Sequence, residues 1–224
     1  MPVVEHLVRV HKMDPNIPCD DGRTPLIFAT KCEKPDLVSF LIKYGSEINV
    51  ETRSGMTPLL IATKMNSKIM VKILVEKGGA EINMARPPKN ITALLIAVSN
   101  GSVELVNYFC DRSADISQKL SNNTNVVMLA CWKGYVEVLR VLCTVLLRRG
   151  SQRVLSYENA INGYTALTYA LLSENFDCAE ILLRLKLVYR GSQLSVREKE
   201  KKQLADGLSI GLNRRAEEQE LRED

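Results

Sequence analysis

A hexapeptide pattern recurs five times along the chain. Thr24-Pro25-Leu26-Ile27-Phe28-Ala29 is the first copy. Thr57-Pro58-Leu59-Leu60-Ile61-Ala62 and Thr92-Ala93-Leu94-Leu95-Ile96-Ala97 follow. Asn125-Val126-Val127-Met128-Leu129-Ala130 and Thr165-Ala166-Leu167-Thr168-Tyr169-Ala170 complete the set. Successive starts lie 33, 35, 33 and 40 residues apart. A fixed period of this size points to a repeat architecture, in which one unit cannot bury its apolar surface alone and neighbours must stack. Eight, nine and twelve residues after each Ala a second set keeps the same register: Leu37/Val38/Leu41, Met70/Val71/Leu74, Leu105/Val106/Phe109, Val138/Leu139/Leu142 and Cys178/Ala179/Leu182. That spacing is one face of an amphipathic helix.

Each unit therefore predicts two helices. Thr24, Thr57, Thr92 and Thr165 suit N-caps, because a hydroxyl accepts a free N–H of the first turn. Pro25 and Pro58 fall at the first helical position, where the missing N–H costs little. The first helix is expected to end near residues 31, 64, 99, 132 and 172, and a tight turn containing Gly101 and Gly134 follows in units three and four. The second helix is expected to stop at Gly45 and Gly78 in the first two units, each Gly in the left-handed region. A loop with Asn49 or Asn83 near its base then leads on.

These residues resemble the ankyrin repeat, whose signature is Thr-Pro-Leu-His-x-Ala at a period of about 33. The resemblance covers roughly residues 17–190. It implies an all-α ankyrin-repeat solenoid of about five helix–turn–helix repeats (17–49, 50–83, 84–117, 118–155 and 156–190). A partial N-terminal capping repeat, residues 1–16, precedes them, with Glu5, Arg9 and Lys12 facing water. The chain departs from the signature at the His position, which holds Ile27, Leu60, Leu95, Met128 or Thr168. In the family that His ties neighbouring loops together, so these loops should be less constrained. Unit four has Asn125-Val126 in place of Thr-Pro and about seven extra residues around 146–159, with its second helix prolonged to Arg149. Unit five has Lys186 where a terminating Gly would stand. Residues 191–224 form a charged helical extension, opened by the capping box Ser195-Val196-Arg197-Glu198; they fit either a C-terminal cap or a solvated tail.

Composition excludes several classes. The six cysteines include no Cys-x-x-Cys pair, and His6 and His11 are the only histidines, so no metal site is expected. No phosphate-binding Gly-rich loop and no nucleophile elbow occurs. With no His inside the five units, a Cys/His or Ser/His pair is hard to assemble. We therefore expect no enzyme, no cofactor and no small-molecule substrate. Nothing approaches ~18 consecutive apolar residues, so no transmembrane span is expected. Residues 1–10 do not have the form of a signal peptide. Free thiols fit a reducing compartment, the cytoplasm or the nucleus. The net charge of +4 does not by itself demand nucleic acid. A monomer is expected.

What the resemblance does imply is a binding surface, the concave face lined by loop tips and by the exposed side of each first helix. Carried over by register, it includes Arg23, Lys31 and Cys32 in unit one and Arg53, Met56, Lys64 and Met65 in unit two. It continues through Lys89, Ser99 and Asn100 in unit three, Trp132 and Lys133 in unit four, and Tyr164 and Leu172 in unit five. The set holds six basic residues (Arg23, Lys31, Arg53, Lys64, Lys89, Lys133) against Asp20 and Asp21, together with the only tryptophan. Trp and Tyr bury much area for few rotatable bonds and are favoured interface anchors. The expected function is a protein–protein interaction scaffold or adaptor. Its partner would combine acidic and apolar residues, with a basic first half of the groove and an apolar second half around Trp132, Tyr164 and Leu172. Two alternatives stay open: polyanion binding, to nucleic acid or an anionic lipid headgroup, and a regulatory domain of a larger assembly. The same residue types also fit a plainer reading, in which exposed Lys and Arg only solubilise and Trp132 folds back on Met128 or Tyr164. Asn49 lies in a setting similar to that of hydroxylated ankyrin asparagines and equally fits a loop-stabilising role.

Overall fold

Short helices alternate with tight turns in a strict order. The computed structural model describes residues 2–85, 88–151, 154 and 163–189. The expected extension at 191–224 and half of the stretch around the insertion in unit four lie outside the described residues. The chain divides into two compact units, residues 1–121 and 122–224. In the first, α1 (Pro2–Arg9) precedes the pairs α2 (Pro25–Lys31) with α3 (Pro35–Lys43), α4 (Pro58–Lys64) with α5 (Lys68–Lys72), and α6 (Ala93–Ser99) with α7 (Val103–Asp111). A π-helical turn, Ile73–Lys77, continues α5. In the second, α8 (Val126–Lys133) pairs with α9 (Val136–Arg149) and α10 (Ala166–Leu172) with α11 (Phe176–Tyr189). There is no β-strand among the described residues.

The core is built from the two registers seen in the sequence. Leu26, Leu59 and Leu94 of the first helices are buried with Val38, Val71 and Val106 of the second helices. In the second unit Val127, Leu139, Leu142, Leu167 and Cys178 repeat the pattern. Small Ala29, Ala62 and Ala97 let first helices lie close, and α2 packs on α4 and α4 on α6. The His position of the signature is filled by buried Ile27, Leu60, Leu95 and Met128, which enlarge the apolar core.

Caps follow the prediction with one exception. Thr57, Thr92 and Thr165 accept from the N–H groups of Leu60, Leu95 and Thr168. Thr24 adopts the same extended conformation but makes no cap bond, and its buried hydroxyl oxygen has no partner. Asn125 is the best cap of the set. Its Oδ1 accepts from both Val127 and Met128 at 3.0 and 2.9 Å, and its Nδ2 donates to the Val154 carbonyl at 3.1 Å.

The helix stops need one correction. Gly45 has φ +86° as expected, but the left-handed residue after α5 is Gly79 (φ +69°), not Gly78. The π-helical turn shifts the exit by one residue. Gly78 is required for closeness instead, since a Cβ there would stand 2.6 Å from the Leu74 carbonyl oxygen. α9 runs on to Arg149 and stops at Gly150, also left-handed, as the sequence predicts.

The expectation of loosely held loops is not met in the first unit. Asn16, Asn49 and Asn83, at equivalent positions, form a ladder. Each Oδ1 accepts the backbone N–H of the next repeat's loop, from Glu47 at 2.7 Å, Glu81 at 3.1 Å and Asp115 at 2.8 Å. The amide nitrogens add bonds to Gly45, Glu81 and Ser113. Side-chain amides thus take over the tethering that the missing His would supply. Ser117 holds the next ladder position and bonds locally to Asp115 instead.

α1 differs in detail from the water-facing cap expected. Arg9 pairs with Glu5 at 2.7 Å, but it also donates to the Tyr44 hydroxyl at 2.6 Å. Its guanidinium lies over the Phe40 and Tyr44 rings, 5.7 and 5.5 Å from their centroids. Arg9 therefore ties α1 to Phe40 of α3 and to Tyr44 just past its end.

Candidate interaction surface

Seven residues into each repeat, counted from its Thr or Asn, at or one residue before the end of the first helix, stands an exposed side chain. In the first unit these residues are Lys31, Lys64 and Ser99, all exposed. The next position holds Cys32, Met65 and Asn100, exposed as well. One turn earlier stand Phe28, Ile61 and Ile96. A helix brings residues three and four apart onto one face, so these three rows form one surface.

Within it Lys31 and Lys64 have no ion-pair partner among the described residues, whereas the Arg53 charge acts on the Asp21 carboxyl. Arg53 is exposed, and its stem passes close to Gly22, where a Cβ would lie 3.5 Å from Arg53 Cγ. Arg23 is engaged. It pairs with Asp21 at 2.5 Å and lies 5.4 Å from the centroid of the Phe28 ring. The Cys19 thiol donates to Asp21 at 2.6 Å, and this bond, with the Arg23 N–H and guanidinium, holds the Asp21 carboxyl below the usual range. Met65 is exposed and Met56 is half-buried. Lys89 is exposed on the loop before α6, and its carbonyl accepts from Ser121 at 3.3 Å.

Asn100 does not serve as a free surface group. Its amide donates to the carbonyls of Thr63 at 2.9 Å and Lys64 at 3.4 Å, satisfying the orphan acceptors at the end of α4. Asn175 does the same in the second unit, donating to Cys131 at 2.8 Å and Trp132 at 3.1 Å.

In the second unit the helices α8 and α10 pack side by side, and the corresponding row is Trp132 on α8 and Leu172 on α10. Trp132 is 53% exposed and Leu172 62%. Trp132 therefore does not fold back onto the core, and the Lys133 ammonium lies 4.9 Å from its ring centroid. Tyr164 stands before α10 with its ring edge-on to Tyr169 at 5.8 Å. Tyr164 and Tyr169 flank the row that Leu172 ends.

Sequence reasoning missed Phe28, which is 41% exposed. The signal was available: a residue three or four before the exposed Lys31 and Cys32 shares their face. Its place inside the repeating signature, where apolar residues read as core, masks that signal.

No group of three or more His, Cys, Asp or Glu side chains that could hold a metal occurs among the described residues. Cys131, Cys143 and Cys178 sit in the core of the second unit, where burial pushes their thiols up, to about 12 for Cys143 and about 11 for Cys178. Such thiols are protonated and unreactive at neutral pH. No helix among the described residues is long and apolar enough to cross a membrane.

Stacked helix pairs, caps in register and a row of exposed side chains along the first helices define a helical-repeat protein. A family model described as ankyrin repeats (3 copies) matches residues 1–86 and 85–151. The chain belongs to the ankyrin-repeat family. Its fifth pair, α10 with α11, lies beyond the matched residues and repeats the same construction. No curated protein matches the chain. Ankyrin repeats are in general protein–protein interaction modules.

Proposed function

We propose that this protein is a non-catalytic scaffold or adaptor that binds a partner protein through the exposed side chains of the first helices in each of its two compact units. The observation that carries this reading is Trp132. This tryptophan is held 53% exposed, on a backbone clamped by Asn175. Large aromatic side chains with one face open are the usual anchors of interfaces. Leu172 and Tyr164 extend the apolar surface in the second unit. Lys31, Lys64, Arg53 and Lys89 supply charge in the first, of the kind that steers association more than it adds affinity.

Two surface variants test it, Trp132→Ala/Leu172→Ala in one unit and Lys31→Glu/Lys64→Glu in the other. All four side chains are exposed, so thermal midpoints should stay near wild type. Proteins captured by the wild-type chain should be lost from the first variant and weakened in the second. If both variants retain the same proteins at the same level, the partner binds elsewhere and the proposal is wrong.

A further inference from the structure

The spacing of the unpartnered lysines in the first unit restricts what can lie on them. We infer that this surface takes an extended acidic peptide whose carboxylates recur every third residue, with apolar side chains between them. This inference rests on the binding-module reading above and adds the chemistry of the ligand.

Lys31 and Lys64 occupy the same position, the last residue of α2 and of α4, and these helices pack directly against one another. Equivalent residues on neighbouring packed helices lie one interaxial distance apart, about 8–10 Å. A peptide in the polyproline II conformation advances about 3.1 Å per residue with three residues per turn. Residues i and i+3 then share a face about 9 Å apart, which matches the lysine spacing. A β-strand places same-face residues about 6.6 or 13 Å apart, from its rise of about 3.3 Å, and misses it. A helix could match with i and i+7, about 10.5 Å at 1.5 Å per residue. The surface, however, offers only two basic rungs before Ser99 replaces Lys and the Asn100 amide is spent on the α4 carbonyls. A helix that short is marginal in water and would have to be ordered on binding.

Charge and apolar contacts agree with this ligand. Lys31 and Lys64 have no ion-pair partner among the described residues. Asp21 is already held by Cys19 and Arg23, which leaves Asp20 and Glu33 as the exposed acids of the surrounding loop and turn. Phe28 and Met65, 41% and 38% exposed, sit on the same face and can receive the intervening apolar side chains. Nucleic acid is a poorer fit. The three rows hold a single exposed aromatic, Phe28, where single-strand binding stacks successive bases, and two lysines neutralise few phosphates.

Fluorescence anisotropy on the full chain tests this with a labelled peptide of Glu-Pro-Leu repeated three times. A peptide of the same composition with its glutamates grouped at one end, and an oligothymidylate of equal charge, serve as comparisons. The repeat peptide should bind, and Lys31→Glu/Lys64→Glu should weaken it by about tenfold or more, a loss of about 1.4 kcal/mol. Phe28→Ala should weaken it severalfold, and Trp132→Ala should leave it unchanged. Equal binding of the grouped peptide overturns the spacing, and equal binding of the oligothymidylate overturns the ligand class. If the repeat peptide fails to bind while Lys31→Glu/Lys64→Glu still loses captured proteins, the inference falls and the scaffold reading stands.

Discussion

Thr24 and Thr57 are the same residue at the same point of neighbouring repeats, in the same extended conformation, yet only Thr57 forms a cap bond. A buried hydroxyl without a partner is a cost, and replacing it by an apolar group of similar shape can be neutral or stabilising. Thr24→Val should therefore leave stability unchanged or raise it slightly, whereas Thr57→Val should cost about 1 kcal/mol. Denaturant unfolding of the two variants distinguishes them. Asn125 should be the most sensitive cap. Asn125→Ala removes two accepted bonds and orphans the buried Val154 carbonyl, for about 2–3 kcal/mol. Asn125→Ser should recover part of that through the cap alone. Thr-Pro at the start of a repeat was legible in the sequence, as was the substitution of Asn in unit four. That Asn125 also reaches Val154, 29 residues on, was not, because nothing local to either residue records the pairing.

At the scale of the helix pair, turn geometry sets where the surface side chains stand. Gly134 lies between α8 and α9 with φ +70°, and a Cβ there would meet Asn175 Oδ1 at 2.5 Å. Gly134→Ala should displace Asn175 from the carbonyls of Cys131 and Trp132 and strain the turn. A loss of about 2–3 kcal/mol is expected, combining the left-handed penalty with lost hydrogen bonds, and the Trp132 fluorescence maximum should shift in the native state. A native spectrum identical to wild type would show that the clamp does not position Trp132. The asparagine ladder belongs to this scale too. Asn49→Ala should cost about 1 kcal/mol and raise hydrogen exchange at the Glu81 amide above that of distant loops. The period of the repeats made the position of Asn49 visible. Its bond to Glu81 depends on how close stacking brings two loops 32 residues apart, and the missing His gave the opposite expectation.

For the molecule as a whole, the six thiols report burial. Cys19 and Cys32 are exposed, while Cys110, Cys131, Cys143 and Cys178 are buried. A thiol reagent at mildly alkaline pH should label two cysteines in the native protein and six after denaturation. Stability should also fall in alkali. The folded thiols of Cys143 and Cys178 titrate at about 12 and about 11, above an ordinary thiol near 9. Raised folded values mean that the unfolded chain loses its protons first. The stabilisation is thus fully present below about pH 9 and disappears as pH rises toward 11–12. Cys143→Ala/Cys178→Ala should flatten that part of the curve, though at a packing cost at neutral pH.

The sequence by itself determined the repeat, the pairing of helices and most of the buried positions, because these follow from a period of about 33 residues and helical spacing within it. It also placed the surface row, since one register numbers every unit. Which members of that row are open was decided only by tertiary structure. Asn100 and Asn175 are consumed by carbonyls of the preceding repeat, Arg23 by Asp21 and Phe28, and Arg9 by the rings of Phe40 and Tyr44. Lys31, Lys64, Trp132 and Leu172 remain outward-facing. The reason is geometric: Arg23 finds its partners within five residues, but the partners of Arg9, Asn100 and Asn175 are some 35 to 44 positions away, and only stacking brings them within reach.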